Sequence, residues 1–180
     1  MHRPTPRSRT AAFTLIEIVI AVTIIIILAG LVAPRISNWS EEARRGRAAT
    51  EMKSVKRALE YMYQDLGVFP ADVSRTVDPG LVDPARVPTA QRPNWRGPYL
   101  DRWPEEGPMG GAYDYEYTNM SDFNFDGTSG NEVVLSLREG TSTEQAQAID
   151  DAIDDGDLNS GMVRQYSGRI AIYIGEGPRW

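Results

Sequence analysis

The sequence contains no cysteine and only one histidine, and these two absences limit the chemistry open to the chain. Without cysteine there is no disulfide framework, no thiolate nucleophile and no cysteine zinc site. The single histidine, His2, lies at the extreme N-terminus, so the rest of the chain offers no imidazole for general-base catalysis or metal ligation. Both absences favour a structural or binding role over an enzymatic one.

Charge is distributed unevenly along the 180 residues. Residues 1–12 carry three arginines and no acid, residues 35–66 carry seven basic and five acidic residues, and residues 101–180 carry sixteen acids against five arginines. The aromatic residues lie mainly in the acidic part rather than among basic residues, so no nucleic-acid partner is predicted. The length suits one modest domain beside the apolar segment near the N-terminus.

That apolar segment, residues 13–33, follows a basic leader and contains Glu17 as its only charge. As a helix it would be about 31 Å long, which matches the core of a bilayer. An ordinary cleaved secretory signal has a shorter apolar region, ~7–15 residues. A plain membrane anchor explains the length but not Glu17, because a carboxylate at the centre of a membrane helix costs about 2.5 kcal/mol or more. Glu17 is therefore a candidate functional residue.

The helical pattern continues beyond Pro34, where apolar residues recur at steps of three and four as far as Leu66, before Gly67. We predict one helix from Phe13 to Leu66, bent at Pro34. Its amphipathic second half is expected to pack on a globular domain from which the first half projects.

The remainder of the chain predicts an ordered loop over residues 68–111 and then a small sheet. A short helix is expected before the third strand, with a capping box from Thr141 to Glu144 and Gly156 at its end. The predicted strands are residues 112–117, 132–137, 162–166 and 169–174. The predicted fold class is α+β, a long N-terminal helix packed on a small C-terminal antiparallel β-sheet.

Several stretches resemble a known family. A basic leader, a small residue and "FTLIEIVIAVTIIIILAGLVAP" are similar to type IV prepilins. "YMYQDLGVFPA" and "NWRGPYLDRWP" resemble more narrowly the major pseudopilin of type II secretion systems. The resemblance implies a pilin-like fold with a leader peptide at residues 1–12, the transmembrane and assembly half of the helix at 13–33, and a periplasmic globular domain at 34–180.

The resemblance also implies roles for individual residues. A prepilin peptidase is expected to cut between Ala12 and Phe13, after which the new Phe13 amine is N-methylated. The Glu17 carboxylate then meets the terminal amine of a neighbouring subunit, so that two charges that are each costly in lipid neutralise one another. Pro34 matches the helix-bending proline of the family. Ala12 departs from the usual glycine before the cut.

The function implied is structural and not enzymatic. The chain would assemble with copies of itself and other pseudopilins, on an inner-membrane platform, into a helical periplasmic filament that drives protein export. Before assembly it would be a single-pass inner-membrane protein with its globular domain in the periplasm. The alternative is a major or minor type IV pilin of a surface fibre used for adhesion, motility or DNA uptake. A membrane-anchored periplasmic binding or hydrolytic domain is the remaining interpretation, and it has only scattered acid pairs in its favour.

Calcium is a candidate ligand at "SDFNFDGTSGNE". Asp122, Asn124 and Asp126 alternate as in an EF-hand loop, and Gly127 follows the third of them. Glu132 stands one position before the usual final glutamate of such a loop. A polar turn between two strands accounts for the same residues.

A second acidic segment offers another candidate. Asp150, Asp151, Asp154 and Asp155 crowd the C-terminal end of the predicted short helix. The helix macrodipole disfavours anions there, and a bound cation would relieve the repulsion. The family's usual terminal calcium-loop pattern does not occur in this tail.

Overall fold

A computed structural model of the protein describes residues 13–119, 123–125, 127 and 130–177, and describes residues 32–38 by their backbone alone. Helix α1 spans Leu15–Leu66. The remaining regular elements are β1 (Ala112–Thr118), β2 (Glu132–Arg138), α2 (Thr143–Ile153), β3 (Val163–Tyr166) and β4 (Arg169–Glu176), with 3₁₀ turns at Pro84–Arg86 and Arg92–Asn94. The predicted helices and strands are therefore confirmed, with bounds that shift by one or two residues.

The chain divides into two units, residues 1–41 and 42–180. In the first unit the large apolar side chains between Phe13 and Leu31 are all exposed, at 48 to 83%. Among the residues that the structure describes, no helix is long and apolar enough to cross a membrane.

The second unit is built on a four-stranded antiparallel sheet of order β1-β2-β4-β3. Side chains alternate between the two faces of a strand. On one face Tyr113, Tyr115 and Leu135 share a single core with Met52 and Leu59 of α1. The predicted α+β fold, with the amphipathic half of the helix packed on an antiparallel sheet, is thus confirmed.

The loop over residues 68–111, predicted to be ordered, packs onto this unit through its aromatic residues. The Trp95 Nε1 donates to the Gly80 carbonyl at 2.8 Å, and the Tyr99 hydroxyl donates to Asp65 at 2.7 Å. Trp103 is buried in the core. These contacts give the segment a fixed path although most of it has no regular secondary structure.

The predicted capping box from Thr141 to Glu144 is wrong by one residue. Ser142 has an extended backbone and is the N-cap: its hydroxyl accepts from Gln145 N, while the Gln145 side chain accepts from Ser142 N. Thr141 is instead buried against the domain. Two adjacent hydroxyl residues could each begin this helix, and burial of the first leaves the second to cap it.

Candidate functional site

Glu17 lies in the first turn of α1, where it closes a capping box with Thr14. The Thr14 backbone N and hydroxyl both donate to the same Glu17 carboxylate oxygen at 2.8 Å, and Glu17 N donates to the Thr14 hydroxyl at 3.3 Å. The carboxylate is thereby held beside the backbone of the residue that follows Phe13. Ala12 and the side chain of Pro34 lie outside the described residues.

The EF-hand-like loop is described only in part, because Asp122 and Asp126 fall outside the described residues. Its other members close a turn. The Asn124 side-chain oxygen accepts from Gly127 N at 2.6 Å, and buried Glu132 accepts from Phe125 N at 2.7 Å. Gly127 has a φ of +78°, which favours glycine at this turn. The described contacts are those of a structured turn, and calcium binding at this loop stays a prediction.

The second acidic segment forms a compact cluster at the end of α2. Carboxylate oxygens of Asp150, Asp154 and Asp155 lie within 4.8 Å of one another. Asp151, which the sequence grouped with them, bonds instead to the Gln147 side chain at 3.1 Å. The loop that follows folds back on the cluster, since Asp154 accepts from Val163 N at 3.3 Å. Three of the four predicted acids are therefore brought together.

Asp150 is the distinctive member of this cluster. Its side chain is fully buried, and neither carboxylate oxygen has a hydrogen-bond partner among the described residues. Burial, followed by repulsion from Asp155 and Asp154, raises the pKa of Asp150 to about 6. A buried carboxylate without a partner is costly, and oxygen-rich clusters of this kind suit a hard divalent cation such as Ca²⁺. The donor set therefore fits calcium.

The opposite face of the sheet carries a charged network that sequence reasoning missed. Glu116 accepts from Arg138 at 2.5 Å, from the Ser136 hydroxyl at 2.8 Å and from Arg169. Asp114 pairs with the same Arg138 at 2.6 Å. The alternation in "AYDYEYT" places Asp114 and Glu116 opposite the tyrosines, and that was the available signal.

The chain is similar in sequence to known proteins. Residues 41–129 match the family model described as "PilW, C-terminal". The type II secretion system core protein G of Vibrio cholerae is 34% identical over 109 residues, which cover 59% of this chain and 70% of that protein. The core protein G of Pseudomonas aeruginosa is 32% identical over 112 residues, which cover 61% and 75%.

A solved structure is also similar. The major type IV pilin PilA1 from Clostridium difficile is 15% identical, with a TM-score of 0.44, and the match covers 76% of this chain and 97% of the pilin.

Proposed function

Because the chain belongs to the family of the type II secretion system core protein G, we propose that it is a structural subunit of a type II secretion pseudopilus and has no enzymatic role. The observation that carries this proposal is 34% identity over 109 residues, which span 70% of the relative from Vibrio cholerae. The chain assembles with other pseudopilins into a filament that drives protein export.

Processing and anchoring belong to the same proposal. A prepilin peptidase removes residues 1–12, and residues 13–33 hold the mature chain in the inner membrane until an assembly platform extracts it. The support is the basic leader followed by 21 residues with one charge. The structure describes the side chains of that run only as far as Leu31. The globular domain lies in the periplasm before and after assembly.

The function is tested by supplying the full chain to a bacterium that lacks core protein G and keeps the rest of its secretion system. We expect sheared filaments that contain the chain, together with restored export of the secreted proteins. Filaments that support adhesion or motility without restoring export would favour the surface-pilin alternative. No filament at all would contradict both functions.

We also propose that Ca²⁺ binds at the end of α2, held by Asp150, Asp154 and Asp155. The support is the buried and unpartnered Asp150 beside two further carboxylates. The cation would offset the repulsion among these carboxylates and fix the loop that runs from α2 to β3. The Lys53 ammonium donates to the Ala152 carbonyl close by, so this end of the helix already has one cationic partner.

Calorimetry on the detergent-solubilised full chain tests the calcium proposal. We expect weak binding, with a dissociation constant on the order of 10⁻⁴ to 10⁻³ M as in extracellular calcium modules. Asp150→Asn should abolish the heat of binding, and Asp151→Asn, outside the cluster, should leave it unchanged. Binding that survives Asp150→Asn and is lost in Asp122→Ala or Asp126→Ala would move the site to the earlier loop. No heat in the wild-type protein would exclude both sites.

A further inference from the structure

Trp39 is an exposed tryptophan on α1, just beyond the apolar run that ends at Ala33. Its side chain is 69% exposed, more than any other large hydrophobic side chain that the structure describes outside that run, of which Tyr61 is next at 53%. Its indole forms no hydrogen bond and no ring contact with any residue in the described part of the chain. No function discussed above makes use of it.

The chemistry of an indole suits a boundary between an apolar medium and water. Tryptophan combines a large apolar ring system with a single N–H donor, so it is favoured where one end is apolar and the other is wet. For this reason tryptophan is enriched at the level of the lipid headgroups on both sides of a membrane. That layer supplies apolar acyl chains for the ring and phosphate and carbonyl oxygens for the N–H.

The position of Trp39 along α1 matches the headgroup layer. Helix α1 is continuous from Leu15 to Leu66, so Trp39 lies six residues, or about 9 Å, beyond Ala33 along the helix axis. A long side chain on a helix leans back toward the N-terminus and covers the preceding turn, ~5 Å long. The headgroup layer is roughly 5–8 Å deep on each side of a bilayer core of ~30 Å. With residues 13–33 in the core, the indole therefore reaches the headgroup layer of the periplasmic leaflet.

An anchor at this end of the run matters most after processing. The leader carries Arg3, Arg7 and Arg9, and its removal takes away the positive charges that oppose movement of the chain toward the periplasm. Trp39 stays on the mature chain. It can therefore hold the depth of the processed subunit until the subunit is extracted for assembly.

We propose that Trp39 binds the headgroup layer of the periplasmic leaflet and sets the depth at which the unassembled subunit lies in the inner membrane. The inference rests on the proposed membrane anchoring and names one residue that fixes its depth. Contact with a neighbouring subunit is the competing arrangement for the same indole. A subunit contact needs a second copy of the chain, whereas the lipid contact forms for a single subunit in a bilayer.

Quenching of tryptophan fluorescence by brominated lipids tests the contact. The full chain is reconstituted at low density in vesicles of phosphatidylethanolamine and phosphatidylglycerol, and the Trp39 signal is taken as the difference between the wild-type chain and Trp39→Phe. We expect lipid brominated near the headgroup end of the acyl chain to quench this signal several-fold more than lipid brominated near the methyl end. The matched control combines Trp39→Phe with Tyr166→Trp, which places an exposed tryptophan on the globular domain, and its difference signal should not be quenched.

Three results would overturn the contact. A Trp39 signal that neither lipid quenches, in a chain inserted in the vesicles, would place the indole outside the membrane. Stronger quenching from the methyl end would place it in the core, and a signal that shifts with protein density but is not quenched would assign it to a subunit contact. A wild-type chain that stays out of the vesicles would contradict the proposed anchoring and the contact with it, so the two failures are distinguishable.

The effect on depth is measured at the other end of the helix. The chain has no cysteine, so Leu15→Cys provides a single thiol, twenty-four residues from Trp39 and out of its reach. In membranes where the leader has been removed, Trp39→Ala should let the helix move toward the periplasm and draw this thiol into the apolar core. Its reaction with a permeant maleimide should then slow several-fold, because the thiolate is the reactive form. Trp39→Tyr should keep the wild-type rate, since tyrosine also prefers the interface, and equal rates in Trp39→Ala and Trp39→Tyr would contradict a role in setting depth.

Discussion

Glu17 is the residue for which the sequence predicts a direct role in assembly. Its carboxylate is held by Thr14 at the start of α1, next to the position where the mature amine would begin. We expect Glu17→Ala to leave membrane insertion intact, because removing a charge makes insertion easier, and to slow filament formation several-fold. The measurements are the level of the chain in the membrane fraction and the rate of filament appearance.

Thr14→Val is the matched control for that experiment. It removes the hydroxyl that caps the helix start but keeps the Glu17 carboxylate, so assembly should proceed near the wild-type rate. Filaments that form as fast in Glu17→Ala as in the wild-type protein would rule out charge pairing.

Glu116 joins two arginines on the outer face of the sheet. It is buried, and it accepts from Arg138, Arg169 and Ser136. Glu116→Gln should lower the free energy of unfolding by about 3–5 kcal/mol, because it leaves the buried Arg169 guanidinium without its carboxylate partner, whereas Arg138 keeps Asp114. Glu139→Gln, which breaks the exposed pair with Arg75, should cost about 0–1 kcal/mol. Denaturant unfolding compares the two, and equal losses would show that the buried network does not act as described.

Asp114 makes the contribution of this network to folding stability depend on pH. Burial, followed by repulsion from Glu116, raises the pKa of its carboxyl above the ordinary value of 3.8. The folded state then binds the proton more tightly than the unfolded state does, so Asp114 adds to the free energy of unfolding below pH 3.8. That contribution is lost as the pH rises through the raised pKa. Asp114→Asn should remove this part of the pH dependence. Unfolding curves of the variant that keep the wild-type slope on the acidic side would contradict the assignment.

At the scale of elements, the start of α2 offers a sharp test. Ser142→Ala should lower the free energy of unfolding by about 1 kcal/mol, because it removes the N-cap hydroxyl. Thr141→Val should be nearly neutral, since the buried Thr141 hydroxyl has no hydrogen-bond partner among the described residues. Thermal or denaturant unfolding of the two variants measures the difference, and the reverse order would restore the capping box that the sequence predicted.

The regular elements could be predicted because their signals are local. The three-and-four spacing of apolar residues and the alternation of the tyrosines each act within one segment. The cap of α2 was missed because Thr141 and Ser142 are both suitable caps, and only the burial of Thr141 by distant residues decides between them. Choices of this kind depend on tertiary packing.

The candidate sites also differ in whether their signal is local in the sequence or depends on tertiary packing. Glu17 could be predicted because a charge within an apolar run stands out without reference to the rest of the chain. The Glu116–Arg169 pair could not, because those residues are 53 positions apart and meet only through the register of the sheet. Asp150 is an intermediate case. It lies four residues after Ala146 on the buried face of α2, and that helical spacing distinguishes it from Asp151.

At the scale of the whole molecule, the basic residues of the helical segment 35–66 differ in whether they have partners within the chain. Lys53 and Lys56 of the basic helical segment are engaged within the chain, by the Ala152 carbonyl and by Glu60. Arg44, Arg47 and Arg57 of the same segment remain exposed. Among the residues that the structure describes, these three arginines are the exposed positive charges that this segment can offer to an acidic domain of a neighbouring subunit.

The identity of the mature N-terminus tests the central claim most directly. The chain is co-expressed with a prepilin peptidase, and the purified product is analysed by N-terminal sequencing and mass spectrometry. The account predicts a chain that begins at N-methylated Phe13 and that, having lost Arg3, Arg7 and Arg9, carries a net charge of −9 instead of −6. An intact Met1 in the presence of the peptidase, or a cut between Ala33 and Pro34, would contradict it.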